Sequence, residues 1–285
     1  MTESEFAFLR GFLKARSGLS LTVEKRYLVE SRLAPVCQRF EIETLSELVA
    51  GLRRGSDRDL ETAVLEAMTT NETYFFRDRA PFDLFRDVLL PRLLDSRSSS
   101  RRLRIWCAAA STGQEPYSIA MVLHEASAHF CGWQVEILAT DLSAEVLEKG
   151  RAGLYNQFEV QRGLPIQLLL KHFIQVGAQW QIAPYIRSMV SFRPLNLIRD
   201  FGALGTFDVV LCRNVLIYFD GPTKADVLKR LATTLASDGA LLLGASETVI
   251  GLSDAFSPDP QHRGFYARCA ALPSERPDAR LAGSR

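Results

Sequence analysis

The chain has 285 residues, room for one large domain or two modest ones. Apolar residues make up 47% and charged residues 24%, as in ordinary globular proteins, and a net charge of +1 gives no general attraction to nucleic acid or a membrane surface. No apolar run is long enough to span a bilayer, and the N-terminus MTESEFAFLR carries charge where a signal peptide needs an apolar core. The five cysteines are widely spaced with no CxxC pair, and the four histidines show no metal-ligand spacing. A reduced, cytoplasmic, monomeric protein without disulfides or metal is the expectation.

Residues 1–68 read as a small helical domain. Ser4 is placed to cap a first helix with Phe6, Leu9 and Leu13 on its apolar side, ending at Gly18. Thr22 is placed to cap a second, from about Val23 to Phe40. Thr44-Leu45-Ser46-Glu47 is a capping box for a third, and Gly55-Ser56-Asp57 separates it from a fourth, Arg58–Met68. On the second helix Lys25, Arg32 and Arg39 recur every seven residues, with Arg26 beside them. Singly each reads as solvated surface; as a stripe they suit an acidic partner helix, and the residues leave both readings open.

Residues 69–80 form a linker of unusual composition, since Tyr74-Phe75-Phe76 has no place in a plain Gly/Ser/Pro spacer. Asn71 and Thr73 can hydrogen-bond a ligand, and Arg77 offers a planar fork to a carboxylate. The same residues equally suit a buried strap, with Arg77 paired to Asp78 or a neighbour. A helix from Pro81 to about Leu94 follows, then a solvated loop, Asp95–Arg102.

The body alternates strands and helices. Leu103–Ala108 is a buried strand, Ala109–Gly113 a small-residue loop, and Glu115-Pro116 opens a helix. Gln134–Ala139 is a second strand ending in Thr140-Asp141, where a ribose would be gripped, although Asp141 or Ser143 also suits as cap of a helix Ala144–Gly150. Residues 155–188 break the alternation and suggest a small insertion with strands at Phe173–Val176 and Trp180–Ile182. Further strands are expected at Met189–Phe192, Phe207–Arg213, Ala240–Gly244 and Phe265–Cys269, with a helix at Thr223–Leu235 and a turn at Asp238-Gly239. The fold class is α/β, a doubly wound, mostly parallel sheet. Residues 273–285 read as a disordered tail.

In order, TTNETYFFRD, RIWCAAASTGQEPYSIA, ATDLSAEVLEKGRAGLY, FDVVLCRNVLIYF and LLLGASET resemble the chemotaxis receptor methyltransferases, the CheR family, over about Phe6–Ala270. The resemblance implies a methyltransferase domain at 81–272 with an inserted β-subdomain at about 155–190. It implies methyl transfer from S-adenosylmethionine to glutamate side chains on the cytoplasmic helices of methyl-accepting chemoreceptors, giving glutamate methyl esters and S-adenosylhomocysteine. By motif match, Asn71, Thr73 and Arg77 reach the cofactor from the linker. Glu115 meets its amino-acid end and Asp141 its ribose, while Asn196, Leu197, Asn214 and Val215 line the adenine and methionine pockets. Arg77 and Tyr218 match positions acting at methyl transfer, and Lys25, Arg26, Arg32 and Arg39 match a receptor-docking helix. The loop after the first strand has Gly113 alone, so it makes room for a nucleoside rather than cradling a pyrophosphate.

Some family members carry a longer glycine-bearing turn in the insertion to grip a tethering peptide at receptor C-termini. Here Phe173–Phe192 is short with only Gly177 at its turn, so a tether-independent enzyme is expected. A nucleic-acid methyltransferase would show an N-P-P-Y-type segment where this chain has Arg213-Asn214-Val215-Leu216. A non-catalytic adaptor binding the cofactor or its product is disfavoured by Arg77 and Tyr218.

Overall fold

Four helices form the head: α1 (Glu3–Ser17), α2 (Arg26–Arg39), α3 (Leu45–Arg54) and α4 (Arg58–Met68). A computed structural model describes residues 1–269, so the tail expected from Pro273 lies outside the described residues. The cap of α1 is Thr2 rather than Ser4. Its side chain accepts from the Glu5 N–H, and Glu5 accepts from the Thr2 N–H at 2.6 Å, a reciprocal pair that Ser4 cannot make. Thr22 makes no side-chain cap bond; Val23–Lys25 form a 3-10 turn and α2 begins only at Arg26. Thr44 and Asp57 cap α3 and α4. The head buries its own core, with Phe6, Leu13, Val29, Leu33, Leu48 and Val64 at its centre.

A strap at 69–79 leads into one long helix in three pieces: α5 (Ala80–Leu84), a π-turn at Phe85–Leu89 and α6 (Leu90–Ser96). Pro91 accounts for the break. It has no N–H to donate and its ring crowds the carbonyl four residues earlier, so the preceding turn widens. The body continues with β1 (Arg102–Ala108), α7 (Gln114–Glu125), β2 (Gln134–Asp141) and α8 (Ala144–Ala152). An insertion follows, made of β3 (Leu154–Asn156), α9 (Gln157–Gln161), α10 (Ile166–His172), β4 (Phe173–Val176), β5 (Gln179–Ile182) and α11 (Pro184–Arg187). The body ends with β6 (Val190–Pro194), β7 (Phe207–Cys212), α12 (Gly221–Thr234), β8 (Leu235–Leu243), β9 (Phe256–Pro258) and β10 (Phe265–Arg268).

The strand order is β6-β2-β1-β7-β8-β10-β9, and the insertion adds a separate antiparallel sheet, β3-β5-β4. The first five strands of the main sheet run parallel, and β10 lies antiparallel to both neighbours. Alternation along β1 builds a core on each face. Ile105 and Cys107 pack with Phe85 and Ile119, while Trp106 and Ala108 pack with Phe207 and Leu231. The expected turn at Asp238-Gly239 is instead absorbed into β8, whose pairing with β7 slips between Phe207 and Val209. Asp238 is held there by Arg97 at 2.6 and 2.8 Å. The short edge strand β9, which ends in Pro258, escaped the sequence reading because three residues carry too little periodicity. From β1 the chain winds outward through β2 to β6, then returns to β7 on the other side of β1. That reversal opens a crevice at the carboxyl ends of β1, β2 and β7.

Candidate active site

The crevice is a cleft of about 970 Å³, its open mouth included, which is at the upper end of the range for small-molecule sites. The backbone around it is held in costly conformations. Phe76 and Asp78 in the strap, Ala109 and Ser111 after β1, and Asn214 after β7 all have φ between 50° and 67°. Each such non-glycine residue costs about 1–3 kcal/mol, so the surrounding hydrogen bonds must fix it.

At the end of β2, Asp141 is buried and its two oxygens accept the N–H groups of Ser111 at 2.9 Å and Ser143 at 3.0 Å. Ser143, not Asp141, caps α8. Each Asp141 oxygen therefore keeps a free lone pair for a ligand hydroxyl. Burial pushes the Asp141 carboxyl up, against the pull of the Ser143 and Ser111 N–H groups. In the first turn of α7, the buried Glu115 accepts from Arg213 at 2.8 Å. Burial pushes Glu115 up as well, and the Arg213 guanidinium opposes it.

Arg213, just past β7, ties three pieces together. Besides Glu115 it donates to Asp78 and to the Arg77 carbonyl, both at 2.8 Å. Its Nε is the one buried side-chain polar atom without a partner among the described residues. Arg77 does not pair with Asp78, which Arg213 engages; its Nη1 donates to the Glu72 carbonyl at 2.6 Å. The strap crosses the mouth of the cleft, where Ser111 Oγ donates to the Asn71 carbonyl at 2.8 Å.

The far wall comes from the loops after β6 and β7. Asn196 donates through its amide to the Arg16 carbonyl at 2.6 Å, so that side chain anchors the head. Asn214 and Val215 donate their N–H groups to the buried Glu247 at 2.8 and 2.9 Å. The half-buried Tyr218 accepts through its carbonyl from the Ser20 N–H at 2.8 Å. The head closes the wall with Ser17 and Leu19 around Gly18. Gly18 has φ +78°, and a Cβ there would lie 2.7 Å from Ile198, so a side chain would lever the head off the body.

Two family descriptions match this chain: CheR methyltransferase, all-alpha domain, over residues 4–69, and CheR methyltransferase, SAM binding domain, over residues 71–265. The chain belongs to the CheR methyltransferase family. It is 41% identical over 259 residues to Chemotaxis protein methyltransferase 1 of Vibrio cholerae, covering 90% of this chain and 93% of that one. It is 43% identical over 257 residues to Chemotaxis protein methyltransferase 1 of Pseudomonas aeruginosa, covering 88% and 92%. The CheR chain is therefore an S-adenosylmethionine-dependent methyltransferase.

All ten residues singled out for cofactor or catalysis line the one cleft: Asn71, Thr73 and Arg77 from the strap, Glu115 and Asp141, Asn196 and Leu197, and Asn214, Val215 and Tyr218. Its chemistry fits a nucleoside joined to an amino acid, with one buried carboxylate for ribose hydroxyls and another for an ammonium. Sequence reasoning missed Arg213 and Glu247: a charge just past a strand, as Arg213 is past β7, reads as meeting solvent, and Glu247 lies four residues beyond the end of β8. It also missed the head's share of the wall.

The residues of the basic stripe on the head have different surroundings. Lys25 and Arg39 are exposed. Arg26 donates to the Met1 carbonyl and lies 3.5 Å from both Glu3 and Glu30. Arg32 donates to the Met68 and Thr69 carbonyls at 2.8 and 3.0 Å and to Thr70, capping α4. Among the described residues no cluster of His, Cys, Asp or Glu could hold a metal ion, and no helix is long and apolar enough to cross a membrane.

Proposed function

We propose that this enzyme methylates the side-chain carboxylates of specific glutamates on the cytoplasmic helices of methyl-accepting chemoreceptors, in chemotaxis adaptation. What supports it most is that Arg77, from the strap, and Tyr218, from the loop after β7, line the same cleft as Glu115 and Asp141. S-adenosylmethionine supplies a methyl carbon on a cationic sulfur, and its transfer to a carboxylate oxygen leaves a neutral ester and the neutral thioether of S-adenosylhomocysteine. The chain's residues need move no proton, because a glutamate side chain is already ionised near neutral pH. Their work is orientation.

In this reading Glu115 holds the ammonium of the cofactor, with Arg213 keeping it ionised despite burial. Asp141 holds the ribose, and Asn71, Thr73, Asn196, Leu197, Asn214 and Val215 enclose the rest. Arg77 aims the attacking carboxylate, and Tyr218 hydrogen-bonds it or faces the sulfonium with its ring. The exposed Lys25 and Arg39 meet acidic positions on the receptor helix, while Arg26 and Arg32 chiefly brace the head. The enzyme acts as a cytoplasmic monomer, independently of a receptor tethering peptide.

The test is transfer of a tritiated methyl group from S-adenosylmethionine to a purified receptor cytoplasmic fragment, recovered as base-labile methanol. Recovery there supports the reading. No incorporation, with S-adenosylhomocysteine still bound, would leave a non-catalytic adaptor. Base-stable label on nucleic acid would leave a nucleic-acid methyltransferase.

A further inference from the structure

The inserted subdomain reaches back to the strap that carries Arg77, and it does so at four adjacent points. Arg162, after α9, donates to the Glu72 carboxylate at 2.5 Å. The same guanidinium lies over the Tyr74 ring, 4.3 Å from its centroid, and Arg77 lies 5.6 Å from the centroid of that ring. Arg77 in turn donates to the carbonyl of Glu72, whose side chain Arg162 holds. Next in the chain, Gly163 has φ +83°, and a Cβ there would fall 2.1 Å from the Phe75 carbonyl oxygen. Phe75 itself is buried with its ring 5.0 Å from Tyr155 and 5.6 Å from Phe173, both of the insertion.

We propose that Arg162 is a positioning residue for Arg77: from the inserted subdomain it fixes Glu72 and Tyr74, the two residues whose carbonyl and ring set where the Arg77 guanidinium stands. This rests on the reading of Arg77 as the group that aims the attacking carboxylate. Arg162 and Glu72 are both partly exposed, with side chains 40% and 55% accessible. An ion pair so placed adds little to stability, so its contribution is geometric. A lysine at 162 would keep the charge near Glu72 but lose the flat face that stacks on Tyr74. The insertion is therefore more than an appendage, because it forms the outer brace of the catalytic strap.

The test is a double-mutant cycle in the full-length enzyme, with R77A, R162A and their combination, and R162K as the graded variant. Thermal midpoint, S-adenosylhomocysteine affinity by calorimetry, and kcat and KM on a receptor cytoplasmic fragment are read for each. R162A is expected to lower kcat by roughly tenfold, as for a reacting group displaced by a fraction of an ångström. Its thermal midpoint and product affinity should stay near those of the parent, and R162K should fall between parent and R162A. In the R77A background R162A should cost nothing further. Full additivity of the two substitutions, or an R162A enzyme with parental kcat, overturns the proposal. A fall in thermal midpoint and product affinity in step with kcat also overturns it, since the role would then be structural. If R77A alone keeps full turnover, it is the reading of Arg77 that fails, whatever Arg162 does.

Discussion

Replacing Glu247 with glutamine tests what holds the loop that carries Tyr218. The carboxylate accepts four backbone N–H groups. Asn214 and Gly244, both at 2.8 Å, share one oxygen, and Val215 at 2.9 Å and Ile217 at 3.3 Å share the other. Glutamine keeps the shape but has one acceptor oxygen, so one pair of N–H groups must face an amide N–H instead. Two hydrogen bonds to a charged, buried group are lost. At about 1.5–3 kcal/mol each the cost is about 3–6 kcal/mol, reduced by whatever water enters from the cleft. At about 2–4 °C per kcal/mol for a chain of this size, the thermal midpoint should fall by roughly 6–24 °C. Asn214 needs this clamp to hold its φ of 59°, so S-adenosylhomocysteine affinity should fall as well. Differential scanning calorimetry of the ligand-free enzyme and titration calorimetry with the product read the two effects. A midpoint within about 2 °C of the parent, with unchanged product affinity, would show that the loop stands without Glu247.

Three further outcomes are expected. Burial raises the Glu115 and Asp141 carboxyls, so the folded chain retains protons on them above the usual range near 4 and its stability falls as pH rises through that window. A ligand that needs both ionised gains affinity across the same window. S-adenosylhomocysteine affinity should therefore weaken on acidification at a higher pH than ordinary carboxylates would give, with proton release in calorimetry, and a profile that stays flat until the ordinary carboxylate range is reached would refute this. Arg39→Ala should weaken binding of a receptor fragment in a salt-dependent way and leave thermal stability alone, whereas Arg32→Ala should also loosen the cofactor, because Arg32 holds Thr69 and Thr70 at the cleft. Equal effects of the two on cofactor affinity would argue for a single basic surface. Tyr117→Phe removes the 2.6 Å hydroxyl donor to the Gly150 carbonyl, which still accepts from the Gly153 N–H at 3.0 Å, and urea unfolding should show a loss of about 0.5–1.5 kcal/mol.

The body was legible in the sequence because its strands are apolar runs ended by polar loops, and β1, β2 and β7 announce both themselves and the edge where ligands bind. Helix starts were less legible. Thr2 and Ser4 are both competent caps, and only the return bond from Glu5 decides between them. Asp238-Gly239 has the composition of a turn, yet tertiary pairing with β7 and the hold of Arg97, 141 residues earlier in the chain, draw it into a strand. The basic stripe shows what periodicity leaves out. Spacing by seven is genuine, but Arg32 faces the end of α4 and its neighbour Arg26 faces Met1 and Glu30, while Arg39 is exposed, and the spacing encodes none of these.

Arg213 shows why chain order hid the most connected part of the site. It follows FDVVLC, and a charge there reads as the end of a strand meeting solvent. Its side chain is instead 1% accessible and bridges Asp78 and Glu115, one from the strap and one from α7. A guanidinium stays charged even when buried, so it can hold two carboxylates from distant parts of the chain without itself neutralising. The strap is thus pinned at its inner end by Arg213 and at its outer end by Arg162, and Arg77 sits between the two anchors. In the proposed mechanism, Arg77 aims a carboxylate only if both anchors keep the strap still while a receptor helix approaches. Both anchors are arginines and neither lies in the strap, so the aromatic motif that marked the site in the sequence depends on residues that carried no mark at all.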